Sequence, residues 1–330
     1  MTIKQVPPIF TWLGLAALAD WLVTRTLVRA AIFMPKPEAV LSVYQGIGFL
    51  GQVAASLTSL LAFLALGWIA VQQIRQWQRL HDKGDLALAA TCLGLISISL
   101  LGLVVPSAGW LALSFQTLIC AAFLLLTWQT WRGPVSREAK AVISLSGAAL
   151  LAGRLYQIGG AVYTILGLAG PPPSSELLFN AGELLVILSV LALWWRYGRR
   201  APWWAWLVAG LPALAFAMFH LKAPAMAGIM TIWSTGLTLY LPWPAYFVAL
   251  WLAGVAVANG LRRGNPAGWA ILLIAAGGYA SQLSIHAFLG LVALWLLVQS
   301  ELGAGITAGQ TSPRVEYNLF VGAKQANDIT

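Results

Sequence analysis

Residues 110–131 read WLALSFQTLICAAFLLLTWQTW, with no charged side chain from end to end. A hydrocarbon core about 30 Å thick needs about twenty helical residues to cross it, so this stretch predicts a membrane-spanning helix. In front of it stands the uncharged turn Pro106-Ser107-Ala108-Gly109, and behind it come Arg132, Arg137 and Lys140. The rest of the chain repeats this alternation of apolar run and short connection. Of its 330 residues, 60% are hydrophobic and 9% are charged, against about 25% charged in an ordinary soluble domain. The mean hydropathy is +0.80. Such a chain cannot cover itself with polar groups, which excludes a soluble enzyme, a disordered protein and a repeat array with a water-facing surface. The net charge of +9 does not point to nucleic acid, because the basic residues fall in clusters between apolar runs, where they orient a protein in a bilayer.

Runs of spanning length or near it cover 8–33, 44–71, 86–105, 110–131, 141–169, 177–195, 203–219, 225–241, 244–261 and 267–298. A closed barrel would show ten-residue alternation instead, so the expectation is an all-α polytopic membrane bundle of nine or ten transmembrane helices. Residues 1–299 form that bundle and residues 300–330 a polar tail or docking strap. Arg75, Arg79 and Lys83, then Arg132, Arg137 and Lys140, then Arg196, Arg199 and Arg200 follow alternate runs. The positive-inside bias makes those connections cytoplasmic, places the N-terminus with Lys4 inside, and suggests the inner membrane of a prokaryote. Trp194, Trp195, Trp203, Trp204 and Trp206 surround one basic connection as an interfacial aromatic belt does. Residues 9–18 behind Lys4 also resemble a cleavable signal segment, but we read the run as retained.

Two runs are irregular. Residues 225–241 are bounded by Pro224 and by Pro242-Trp243-Pro244 and contain Ser234, Thr235 and Gly236. A broken or re-entrant segment is favoured there over a full crossing, and the sides of Arg262, Arg263 and the C-terminus follow from that choice. Residues 267–298 would make about 48 Å of helix, so the run is strongly tilted, projects into water, or bends at Gly277-Gly278.

Charges inside a bilayer cost at least about 2.5 kcal/mol each on insertion scales and need a partner, water or a function. Asp20, Arg25 and Arg29 lie in the first run, Arg154 in the fifth and Glu183 in the sixth, with Glu176 at the entrance to the sixth. Counting at about 1.5 Å per residue from the outer ends puts Asp20 roughly 20 Å down and Arg154 about 22 Å, with Arg25 and Glu183 each near 12 Å. The expected pairs are Asp20 with Arg154, Arg25 with Glu183, and Arg29 with Asn180 or Glu176. Glu176, Asn180 and Glu183 at i, i+4 and i+7 share one helix face, as do Arg25 and Arg29. The first, fifth and sixth spans are therefore expected to enclose a polar cluster, read either as a solute cavity or as an ion-pair network that fixes helix register.

Tyr279, Gln282 and His286 form a second polar face at i, i+3 and i+7. His220 and His286, at comparable depth, are the only two residues arranged like axial ligands of a b-type haem. With one such pair and no further His on either run, no cofactor and no metal are expected. His81 beside Asp82 reads as solvated. Cys92 and Cys120 sit in separate apolar runs without metal-ligand spacing and read as small buried apolar residues. Zinc-protease, nucleophile-elbow and phosphate-loop motifs are absent.

Three functions fit. A transporter of a small anionic or zwitterionic solute would use the Arg/Glu cluster. A non-catalytic subunit of a larger, quinone-linked membrane complex would use the same charges for register or proton movement, with other subunits and lipids as partners. A membrane-embedded lipid- or quinone-modifying enzyme would need Glu176, Glu183 and His286 as its acid-base groups.

Overall fold

Polar side chains and glycine set the helix ends. After Leu80, His81 takes a left-handed φ of 52° and donates its backbone N–H to the Trp77 carbonyl at 2.7 Å. Asp82 then caps the next helix by accepting from the Gly84 backbone N–H at 2.7 Å. A stop and a start are thus packed into adjacent residues, and His81 has a structural role in the corner. Ser136 caps another helix by accepting from the Ala139 N–H at 3.3 Å. That helix runs to Ile165 and is stopped by Gly167, φ 65°, where Leu168 N–H bonds the Tyr163 carbonyl and Gly167 N–H bonds that of Thr164. This is a glycine-centred stop that satisfies two terminal carbonyls.

In a computed structural model, the described residues are 7–20, 41–105, 109–168, 175–198, 201–207, 209–210, 251–252, 254–255, 258, 266–279 and 284–307. Among them the chain is all-helical without a strand. We number the principal helices α1 (Pro8–Asp20), α2 (Leu41–Leu80), α3 (Lys83–Val104), α4 (Gly109–Arg132), α5 (Arg137–Ile165), α6 (Ser175–Leu193), α7 (Pro266–Tyr279) and α8 (Ser284–Thr307). A π-helical turn, Trp194–Gly198, continues α6. Among the described residues, four helices are long and apolar enough to cross a membrane: α2 over Gly48–Leu80, α3, α4 and α5. The first run, 8–33, is described only to Asp20, and the segment 225–241 with Arg262 and Arg263 lies outside the described residues.

The run 267–298 is two helices. α7 and α8 pack extensively against each other. The stretch 280–283 between them reaches at most about 14 Å, so they run antiparallel as a hairpin. Of the three sequence alternatives, the bend near Gly277-Gly278 comes closest. α8 also runs through residue 300 to Thr307, taking in the first turns of the segment read as a tail.

α8 is the axis of the bundle. Besides α7 it packs on α2, α4 and α5, and every residue of Ala287–Leu302 is buried. The Phe288 ring sits between Phe63 of α2 and Phe115 of α4, with centroids 5.2 and 5.4 Å away. Trp295 meets Phe10 of α1 at 5.5 Å. Gly290 lets Leu150 of α5 approach, since a Cβ there would lie 2.7 Å from Leu150 Cδ2. Gly147 of α5 lies near Leu294, a Cβ there being 3.9 Å from its Cδ2, so α5 and α8 are antiparallel and α8 ends at the face that carries the basic connections.

The outside of the bundle is apolar. On α2 the exposed side chains Leu57, Leu60, Leu64, Trp68 and Val71 form a helical stripe, while Thr58, Ala62, Ala65, Leu66, Ile69, Gln73 and Gln76 face inward. An apolar exterior around an interior that includes polar groups is what lipid as solvent demands.

Candidate functional site along the central helix

Three polar levels lie along α8. The outermost is built on Arg154 of α5, 3% exposed, whose Nη1 donates to Gln116 Oε1 of α4 at 3.4 Å. Gln116 follows Phe115, which touches Phe288, and Arg154 stands one turn beyond Leu150, which touches Gly290. The pair therefore sits where α8 begins. α6 passes the same place, because Gly182 lies against Ala152 and the Gly153 backbone nitrogen, a Cβ at Gly182 being 3.5 Å from each. The turn of α6 that carries Glu183 and the turn of α5 that carries Arg154 are thus side by side. Counting from Ala169 had set Arg154 some 10 Å deeper than Glu183. The helix in fact stops at Ile165 and α6 starts at Ser175, which brings the two depths to about 16 and 12 Å.

Asp20 is buried on α1, which packs mainly on α2 and α7. Arg25, Arg29, His220 and Gln282 lie outside the described residues. For Glu176, Asn180, Glu183, Tyr279 and His286 the helix backbone is described but the side chain is not. The backbone of α6 does keep Glu176, Asn180 and Glu183 on one face.

The second level is centred on Asp85, in the first turn of α3 and wholly buried. Gln129 Nε2 of α4 donates to its Oδ1 at 3.2 Å. The Gln73 amide of α2, oriented so that its nitrogen faces the carboxylate, donates to the same oxygen at 3.0 Å and accepts from Trp295 Nε1 at 3.1 Å. One carboxylate thereby ties α2, α3, α4 and α8 together. Beside Gly147, Ser146 shares a buried hydrogen bond of 2.7 Å with Ser189, joining α5 to α6.

The third level closes the bundle at the basic-connection face. Arg196 in the π-turn holds Glu301 of α8 through Nε at 3.1 Å and Nη2 at 2.9 Å. It reaches Glu138 through Nη1 at 3.3 Å and the capping hydroxyl of Ser136 through Nη2 at 3.2 Å. Arg196 lies inside that π-turn, a helix irregularity found frequently at functional sites.

The second and third levels were not read from the sequence. Asp85 and Glu301 stand at the edges of apolar runs, where a charge reads as solvated, and the glutamines carry no charge to match. Helical spacing offered one signal, since Gln73 and Gln76 share the α2 face with Ala62, Ala65 and Ile69.

Among the described residues no group of three His, Cys, Asp or Glu side chains is arranged to hold a metal ion. No known protein family, curated protein or solved structure matches this chain.

Proposed function

We propose that the chain is a multi-pass protein of nine or ten spans, in the cytoplasmic membrane of a prokaryote with its N-terminus inside, that carries a small anionic or zwitterionic solute. The observation that supports this reading is Arg154: a guanidinium 3% exposed, beside the neutral Gln116 amide, on an α5 turn adjacent to the one bearing Glu183. An intramembrane cation marks a functional site by default, and planar guanidinium is suited to a carboxylate or phosphate. Arg154 would take the anionic group and Gln116 would orient it, while Glu183 and Asn180 of α6, with Arg25, Arg29 and Asp20 of the first span, would complete the cluster.

A second reading, an integral subunit of a larger membrane complex, is favoured by the flank around the π-turn. There Trp195 is 62% and Trp203 75% exposed, beside a ladder of rings from Trp194 through Trp206 to Trp251. Aromatic side chains of this kind are enriched at protein contacts as well as in interfacial belts.

The test is electrical. The purified protein is reconstituted into liposomes and charge movement is recorded on a solid-supported membrane with acetate, phosphate, succinate and glycine in turn. The transport reading expects a saturable current with at least one solute, reduced at least tenfold in Arg154→Gln. Absence of current with all four, together with co-purification of a stoichiometric second chain, would replace it with the subunit reading.

A further inference from the structure

The Asp85 level lies apart from Arg154 and plays no part in the proposed solute site. Gln129 is 1% exposed, and its Oε1 has no hydrogen-bond partner among the described residues. A buried amide oxygen left without a donor forfeits the hydrogen bond it made to water, so such an acceptor beside a carboxylate calls for an explanation. The other end of the same amide is 3.2 Å from Asp85 Oδ1.

We infer that the Asp85 carboxylate is a reversible proton-binding site whose protonated form donates to Gln129 Oε1. Both charge states then have partners. The ionised form accepts from the Gln73 and Gln129 amides and sits in the first turn of α3, where the helix terminus favours negative charge. In the protonated form one O–H bond forms on the carboxyl group as one breaks in a hydronium ion. Nothing is oxidised or reduced, and rotation of the Gln129 amide or of the carboxyl group aligns the new donor with Oε1. Because Gln73 joins Asp85 to Trp295, the state of the proton reaches the central helix directly.

The site lies close to the basic-connection face. Asp85 is two residues from Lys83, and His81 and Lys83 are exposed at the turn. Among the described residues, the ionisable groups at this end of the elements packed against it are His81, Asp82 and Lys83 on its own corner, Arg75 and Arg79 on α2, and Arg132 on α4. From α8 comes Glu301, which Arg196 holds. Arg132 lies over the Trp128 ring at 4.0 Å, and Trp128 in turn lies against Gly84, whose Cβ would be 2.7 Å from Cζ3. The two donors to the carboxylate named above are neutral amides.

Infrared difference spectra of the full chain in lipid nanodiscs, recorded between neutral and acidic pH, test this without reference to transport. The wild type is expected to develop a carboxylic-acid carbonyl band on acidification. That band should vanish in Asp85→Asn, shift to higher frequency in Gln129→Leu, which keeps the acid and removes its acceptor, and stay unchanged in Arg154→Gln. Identical spectra for wild type and Asp85→Asn overturn the inference. If Asp85→Asn does not fold, an unshifted band in Gln129→Leu overturns it equally. A band lost in Asp85→Asn from a protein that gives no solute current leaves the proton site standing and removes only the transport reading.

Discussion

Arg196 and Glu301, 105 positions apart in sequence, meet through two nitrogens and two oxygens at 3.1 and 2.9 Å, and the Glu301 side chain is 7% exposed. This contact fixes the end of the central helix to the end of α6. Glu138 and Ser136 bring the start of α5 into the same cluster.

Removing the arginine takes both charge-assisted bonds from a buried carboxylate, whereas neutralising the carboxylate leaves an amide that still accepts from Arg196. Arg196→Ala is therefore expected to destabilise the bundle by about 3 kcal/mol, the low end for a broken buried pair because Arg196 is partly exposed. Glu301→Gln should cost less than half as much. Reversible unfolding in mixed micelles measures both, and equal losses would show that the pair adds nothing beyond packing.

Phe288 fills the space between Phe63 and Phe115. Phe288→Ala should cost about 3–5 kcal/mol, the range for deleting a buried aromatic ring. Phe288→Leu should recover at least half of that loss in the same unfolding assay.

Gly290 permits the close approach of Leu150. Gly290→Leu is expected to overpack the contact by about 1–3 kcal/mol, and Leu150→Ala in the same chain should restore part of it. A double-mutant cycle with a coupling energy near zero would contradict the packing described here.

The exposed stripe of α2 faces acyl chains if the bundle sits in lipid, while the His81 corner faces water. In a background with Cys92 and Cys120 replaced by Ala, cysteines at Leu60 or Leu64 should resist a membrane-impermeant maleimide in everted vesicles. A cysteine at Lys83 should react within minutes. Rapid labelling at Leu64 would count against the lipid-facing assignment.

Reading the sequence located the middle helices well, because a charge-free run ended by a polar corner is a local signal. The run 86–105 became Lys83–Val104, and 110–131 became Gly109–Arg132. The last run was less legible. A helix enclosed by other helices is apolar on every side, as is one dissolved in lipid, so composition across 267–298 does not reveal that the chain turns back; only Gly277-Gly278 hinted at it. The depth of Arg154 was misjudged for a related reason, since apolar residues continue past the Gly167 stop as far as Ala169. Its contact with Gln116 escaped notice because charge matching does not find neutral partners. Asp85 and Glu301 were passed over because they stand at the ends of runs, where only packing distinguishes a buried acid from a surface one.

The position of α8 also bears on biogenesis. Its neighbours α2, α4 and α5 leave the ribosome before it does, so the wall of the bundle is synthesised ahead of the pillar it surrounds. Until residues 284–307 emerge, the inner faces of those neighbours have only lipid, or one another, to close on. Asp85 and Arg196 meanwhile await Trp295 and Glu301. The α7–α8 hairpin then docks sideways into a cleft that its own absence keeps open, so these later helices decide whether the earlier ones become a stable protein.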